Sequence, residues 1–425
     1  MRSIYYRSIL LLIVALWTLP ALAQDSLNVE RIGTVPLDFD AGSPTKLVYA
    51  DGLVFLAADY AGIFIVDVTD PSNPWEVVGF PGLHTTDVEV AGNLMFVADQ
   101  YEGLMIYDIT IPADPQFVGS YTVDFPDAEI ESLEEDNGVV YLGVDNYGVI
   151  MIDVSVPGEP GFLGEYTGSD NIGELALEGD YLYISTNSVY FTVLDISTPE
   201  TPQVVYSEVL GLACSWVEVE ERLTGVGIFQ GPNDYGIRLY DFTDISNPTA
   251  HGWLQLSTYD FHFEVYCGYL FTMDGNNGIR IFDLADLNNP VETGYFVEPR
   301  LNQGLTVNEN LIYAWYDGDF IVLEFTAMQA VATVGGEPAL FILAPACPNP
   351  FNPVTTLPYT LTAPAQVLLT VYNLSGRRVA TLVEQLQPAG EYRSSWDGSR
   401  YASGCYFAQL LAGKQQSTQK LLLLK

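Results

Sequence analysis

Gly62-Ile-Phe-Ile-Val-Asp-Val-Thr-Asp-Pro-Ser-Asn-Pro-Trp-Glu-Val-Val-Gly79 joins an apolar run, an acid, two prolines and a second short apolar run, and the chain repeats that order. Gly103-Leu-Met-Ile-Tyr-Asp108 leads to Pro112 and Pro115, Gly148-Val-Ile-Met-Ile-Asp153 to Pro157 and Pro160, and Val193-Leu-Asp195 to Pro199 and Pro202. Ile237-Arg-Leu-Tyr-Asp241 and Ile279-Arg-Ile-Phe-Asp283 keep one proline each, Pro248 and Pro290, while Phe320-Ile-Val-Leu-Glu324 keeps only the run and an acid. The aligned acids stand at 67, 108, 153, 195, 241, 283 and 324, a spacing of 41 to 46 residues. That period suits a four-stranded unit and is too long for leucine-rich or paired-helix repeats.

Each copy reads as instructions for strands. The run before the acid lacks polar alternation, as a strand buried on both faces does. An Asp at its end can accept hydrogen bonds from the following turn. The prolines cannot donate to a ladder, so the next segment, such as Trp75-Glu-Val-Val-Gly79, belongs at a sheet edge. Ahead of the run stands a hairpin, Lys46-Leu-Val-Tyr-Ala50, Asp51-Gly52, Leu53-Val-Phe-Leu-Ala57. Residues 28–36 match the edge segment with Gly33 in register with Gly79, and the last unit lacks such a strand. The N-terminal segment is therefore expected to close the ring, with Gln329–Val334 as the competitor for that slot.

The apolar strand ending in Ile-Val-Asp-Val or a variant, Pro-x-x-Pro and Val-x-x-Gly together resemble the LVIVD repeat of bacterial surface β-propellers. The resemblance implies an all-β fold, a seven-bladed β-propeller over 24–326. A linker over 327–344 holds Gly335-Gly336-Glu-Pro338, and short alternating strands over 345–425 suggest a small β-sandwich. There Pro348-Asn-Pro-Phe-Asn-Pro353, Val371-Tyr-Asn-Leu-Ser-Gly-Arg-Arg-Val-Ala-Thr-Leu382, Trp396-Asp-Gly398 and Ser403-Gly-Cys-Tyr-Phe407 resemble the type IX C-terminal secretion-sorting domain. That family is related to the Ig-like domain of the flagellar hook cap, and the resemblance implies secretion machinery as a partner. An Ig-like spacer retained in the mature protein is the other reading of this domain.

Residues 1–23 carry Arg2, Arg7, the apolar stretch Ile9–Trp17 and Leu19-Pro-Ala-Leu-Ala23 before Gln24, the pattern of a secretory signal peptide cut between Ala23 and Gln24. No other apolar stretch is long enough to cross a bilayer, so no transmembrane segment is expected in the mature protein, which is assigned to the outer cell surface or medium. The formal charge is −39, and its distribution is uneven. Residues 345–425 hold seven Lys/Arg against three Asp/Glu and residues 1–23 add +2, which leaves −45 on residues 24–344. So acidic a body repels phosphate backbones, and nucleic acid is excluded as a partner.

The histidines are His84, His251 and His262, none spaced with another as zinc ligands are. No nucleophile elbow, phosphate-cradling loop or sialidase-type Asp box occurs. Asp87, Glu89, Glu129, Glu131, Glu174, Glu218, Glu220 and Glu264 fall in the expected innermost strands, where converging carboxylates would be calcium candidates. The turns between second and third strands carry Tyr60, Tyr101, Tyr147 and Tyr235, and these should share one face with His84 and the insertion around Phe229. The reading is a surface propeller that binds a protein or glycan without catalysis or a resident cofactor. The alternative is a calcium-dependent hydrolase or lactonase with an acidic channel. Cys347 and Cys405, in one small domain of an exported chain, are expected to form a disulfide, whereas Cys214 and Cys267 should lie at opposite ends of neighbouring strands.

Overall fold

The computed structural model describes residues 26–37, 44–124, 129–168, 171–211, 213–220, 222–231, 234–258, 262–297, 301–316, 318–326, 340–343, 346, 351, 353–373, 377–401, 404–413 and 415–423. The expected cleavage site at Ala23 and Gln24, most of the 327–344 linker and Cys347 lie outside these residues, as does the Cys405 side chain.

The first repeat folds as its residues dictate. Lys46–Ala50 and Leu53–Ala57 pair antiparallel around Asp51 and Gly52, whose φ angles of 48° and 84° match a primed hairpin turn. Ile63–Asp67 is the third strand, its apolar residues fully buried, and Trp75–Phe80 is the edge strand beyond the prolines. Asp67 ends the buried strand and accepts the Thr69 N–H at 2.9 Å. Asp108, Asp153, Asp195, Asp241 and Asp283 accept the N–H two residues on in the same way, at 2.7 to 3.0 Å. Glu324, at the equivalent position of the last unit, accepts from Asn310 Nδ2.

The same four-strand order recurs over 85–121, 130–166, 172–209, 213–256 and 263–296, and the sheets of 172–209 and 213–256 are joined through Thr186 and Cys214. The innermost strands are Lys46–Ala50, Thr85–Ala91, Ile130–Asp136, Ile172–Glu178, Ala213–Glu220, Phe263–Tyr266 and Leu301–Asn308. Each contacts the next and the last returns to the first, so the sheets form a closed ring. Leu311–Tyr316 and Asp319–Phe325 complete three strands of the last sheet, and Val29–Pro36 supplies its outer strand. Ser26–Leu27 then pairs with Tyr295 and Phe296, so the N-terminal segment also extends the neighbouring sheet. The turn between them is made by Asn28, with φ of 56°.

Neighbouring sheets pack through apolar side chains and through a repeated backbone contact. A Cβ on Gly119 would stand 2.4 Å from the Pro157 carbonyl oxygen, and one on Gly164 equally close to that of Pro199. Gly33 meets Pro71 in the same manner across the closing seam, at 2.1 Å. At these three seams the glycine of the outer strand and the proline turn of the next unit are two halves of one contact, whereas Gly79 packs against Phe64 of its own sheet. At Gly33, Gly119 and Gly164 that approach leaves no room for a side chain.

In the C-terminal region, Phe341–Leu343, Val354–Leu361 and Gly390–Asp397 form one sheet, and Arg378–Gln387, Ala365–Asn373, Gly404–Ala412 and Gln415–Leu423 another. They share a core that includes Phe351, Leu357, Leu369, Trp396, Leu410 and Leu421.

The cysteine expectation needs correction. Cys214 is buried and free, while Cys267, in the turn after Phe263–Tyr266, is disulfide-bonded. With four cysteines in the chain, a bridge confined to Cys347 and Cys405 would leave Cys267 without a partner. Sequence proximity within one domain was the wrong guide, because a disulfide requires only that two Cα atoms approach in space.

Candidate functional site

Ladder partners identify which side chains share a level in the channel. Lys46 lies opposite Ala57, Asp87 opposite Ala98, Ser132 opposite Gly143, Glu174 opposite Ser185 and Trp216 opposite Gly227, the same position in successive sheets. Lys46 Nζ donates to Glu174 Oε1 at 2.7 Å and stands 5.2 Å from the Trp216 ring centroid. Ser132 Oγ donates to Glu174, and Asp87 accepts the backbone N–H groups of Val88 and Leu133. The His262 ring lies 4.0 Å from that of Trp216, and burial holds its pKa down at about 3.

The next level holds Glu89, Glu134, Glu218 and Glu264, opposite Phe96, Tyr141, Gly225 and Phe271. Glu264 accepts the Val307 N–H of the adjoining inner strand at 2.9 Å. Burial raises Glu89 and Glu218 to about 7 and Glu174 to about 8, against the pull of Lys46. One ammonium therefore serves carboxylates from several strands, and near neutral pH part of that set holds protons. Among the described residues, no group of three or more His, Cys, Asp or Glu is arranged to hold a metal ion. Glu220 bonds the N–H groups of Cys267 and Gly268 and so links two adjacent units.

Two of the expected channel acids lie elsewhere. The pairing of Ile130–Asp136 shifts between Ile130 and Ser132, and equivalent shifts occur at Thr85/Asp87, Ile172/Glu174 and Cys214/Trp216. A bulge of this kind breaks the period of two, so residues before and after it no longer alternate as counted. Glu131 is the extra residue, and its electrostatic neighbours are Asp145 and Glu129, not Lys46. Glu134 takes the channel position. Lys46 is the element that sequence reading missed, although one signal was available: it is the only lysine before Lys414.

At the turn end of the first two sheets, His84 is stacked between two tyrosines. The Tyr60 ring lies 3.9 Å away at 21° and the Tyr101 ring 5.0 Å away at 23°. Asp59 pairs with His84 Nε2, and Asp99 accepts the His84 N–H at 2.8 Å. Tyr60 and Tyr101 remain 61% and 64% exposed, so their outer faces are available to a ligand. Loss of solvent around its hydroxyl, and then the Tyr60 hydroxyl, Glu129 and Asp59, raise the Tyr101 pKa. The Glu129 carbonyl accepts the Asp145 N–H at 2.8 Å, which brings the third unit to the same edge. Tyr147 instead donates to Glu165 at 2.5 Å, and Tyr235 stacks on Phe229, its cross-strand partner, with centroids 5.4 Å apart.

The family model of the LVIVD repeat matches residues 51–80, 82–123 and 171–207, and that of the secretion system C-terminal sorting domain matches residues 346–424. No curated protein matches the chain in sequence. Among solved structures, it is similar to the β-propeller domain of Cps50 (Swd1) from Myceliophteria thermophila, with a TM-score of 0.54 and 13% identity over 70% of this chain and 99% of that one. A chain of the mitotic checkpoint complex gives 0.56 and 12% identity over 76% and 98%, and the computationally designed protein Ika8 gives 0.50 and 11% over 69% and 99%. At these identities the likeness concerns the fold alone, and that fold is a β-propeller. The sorting domain implies export by type IX secretion. Among the described residues no helix is long and apolar enough to cross a membrane.

Proposed function

We propose that this chain, a β-propeller of LVIVD repeats with a secretion system C-terminal sorting domain, is a binding protein of the outer cell surface. In this reading a signal peptide over 1–23 and a sorting domain over 345–425, of the Ig-like kind, bracket a seven-bladed propeller over 24–326. The propeller binds an extracellular partner and has no catalysis of its own. The observation that carries the reading is the stack at His84, where two tyrosines stay exposed although their positions are held by packing. Tyrosine offers a broad apolar face and a hydroxyl at little entropic cost, which suits a recognition surface. The channel supports the same reading, because its acids are bonded to Lys46 and to backbone N–H groups of neighbouring strands. They hold the ring together.

Tyr60→Ala combined with Tyr101→Ala tests the proposal in binding of the exported protein to its own cells or to the secreted matrix. Loss of binding with unchanged thermal stability is expected. Retained binding, together with loss on changing Asp51 and Gly52 on the opposite face, would overturn it.

A further inference from the structure

Several groups beside the stack are one-sided in their chemistry. Asp59, paired with His84, and Glu129 act on Tyr101, Glu131 and Asp145 adjoin Glu129, and the charged neighbours of Glu131 and Asp145 are themselves acids. Asp145 Oδ2 accepts from Asn146 Nδ2 at 2.7 Å, while its Oδ1 is buried without a side-chain partner, as is His84 Nδ1. Burial among like charges raises Glu131 to about 7. A buried, unpaired carboxylate oxygen is costly until a donor reaches it.

We propose that Tyr60, Tyr101, Glu129, Glu131 and Asp145 form a docking site for a basic side chain, arginine above lysine, presented by a partner protein. This inference rests on the rim reading above and adds the chemistry of what the rim takes. The exposed outer face of Tyr101 provides a π surface on which a guanidinium stacks. The carboxylates beside it accept the N–H donors at the guanidinium edge, a planar arrangement that an ammonium does not reproduce. His84 fixes the spacing of the two rings, and Asp59 holds His84. The −45 charge on residues 24–344 attracts a basic partner at long range, and the site selects from what is attracted. A neutral sugar would leave the carboxylates uncompensated, and a phosphate or sulfate would be repelled.

The test is calorimetric titration of the full exported chain with the peptide acetyl-Gly-Arg-Gly-Arg-Gly-amide at about 0.15 M salt. The comparison peptide has citrulline in place of each arginine, which keeps the shape and removes the charge. We expect the arginine peptide to bind and the citrulline peptide not to. Tyr101→Ala and Glu131→Gln should each weaken binding about tenfold, while Glu76→Gln, an exposed acid on an outer strand, should leave it unchanged. Equal weakening by Glu131→Gln and Glu76→Gln would mean diffuse attraction to an acidic body and would overturn the site. If the arginine peptide fails to bind wild type while Tyr60→Ala/Tyr101→Ala still abolishes cell-surface binding, the charge assignment falls and the rim reading stands. If that double variant also keeps its surface binding, both fall.

Discussion

Lys46 shows what one side chain can do at the centre of a ring. Its ammonium meets Glu174 directly and lies in the field of Asp87, Glu218 and Glu134, each on a different strand. Removing one member of a buried pair leaves the other charge uncompensated, so Lys46→Met should cost about 3 kcal/mol in urea unfolding at pH 8. The loss should shrink at pH 5, where the carboxylates hold protons, and a loss independent of pH would show that Lys46 acts through packing alone. The wild-type protein carries the same sign. Glu89, Glu174 and Glu218 titrate at about 7 or 8 when folded against an ordinary value of 4.5, so the folded state binds more protons between those limits. Stability from these groups is full below pH 4.5 and falls as pH rises to about 8. A lone lysine in an apolar strand was visible in the sequence. Its partner, 128 residues away, was not.

At the scale of the strand, the repeat motif acquires a mechanical meaning. Gly119 and Gly164 sit where the carbonyl of the next unit's proline turn would meet a Cβ at 2.4 Å. Gly119→Ala or Gly164→Ala should therefore destabilise by about 1 to 3 kcal/mol through enforced separation of two sheets. Gly161, in the same outer strand as Gly164, has nothing within 4 Å of its Cβ position. Gly161→Ala serves as the control and should be neutral within about 0.5 kcal/mol. Equal losses at Gly161 and Gly164 in denaturant melts would mean that the contact between units is not what the glycine protects. The strands themselves were legible: the hairpin at Asp51-Gly52 and the Asp-capped turns depend on neighbours a few residues apart. The bulge in Ile130–Asp136 was not, because it is set by pairing across the sheet, and that is why Glu131 and Glu134 exchanged places.

For the whole molecule, closure depends on a segment from the other end of the chain. Val29–Pro36 completes the last sheet, Ser26–Leu27 extends the one before it, and Thr326 donates its N–H to the Asn28 carbonyl at 2.8 Å. Deleting residues 24–36 should expose two sheet edges and lower the melting temperature by at least about 10 °C. A synthetic peptide spanning residues 26–36 should restore most of the loss, and an unchanged melt on deletion would sink the idea that this segment closes the ring. The N-terminal closing strand was readable because residues 28–36 match an edge segment that the last unit lacks, although pairing sets Gly33 level with Val78 and one residue short of the expected match to Gly79. The extra pairing of Ser26 and Leu27 was not readable, since two residues carry no periodic pattern. The sequence alone determined the repeat, its strands and turns, the closing segment and the sorting domain, since each rests on local chemistry or on spacing along the chain. Only the tertiary structure decided that Lys46 stands among acids of distant strands, that Tyr60 and Tyr101 clasp His84, and that Cys267 takes part in a disulfide. Those are contacts between residues tens to hundreds of positions apart, and their geometry exists only once the ring has closed.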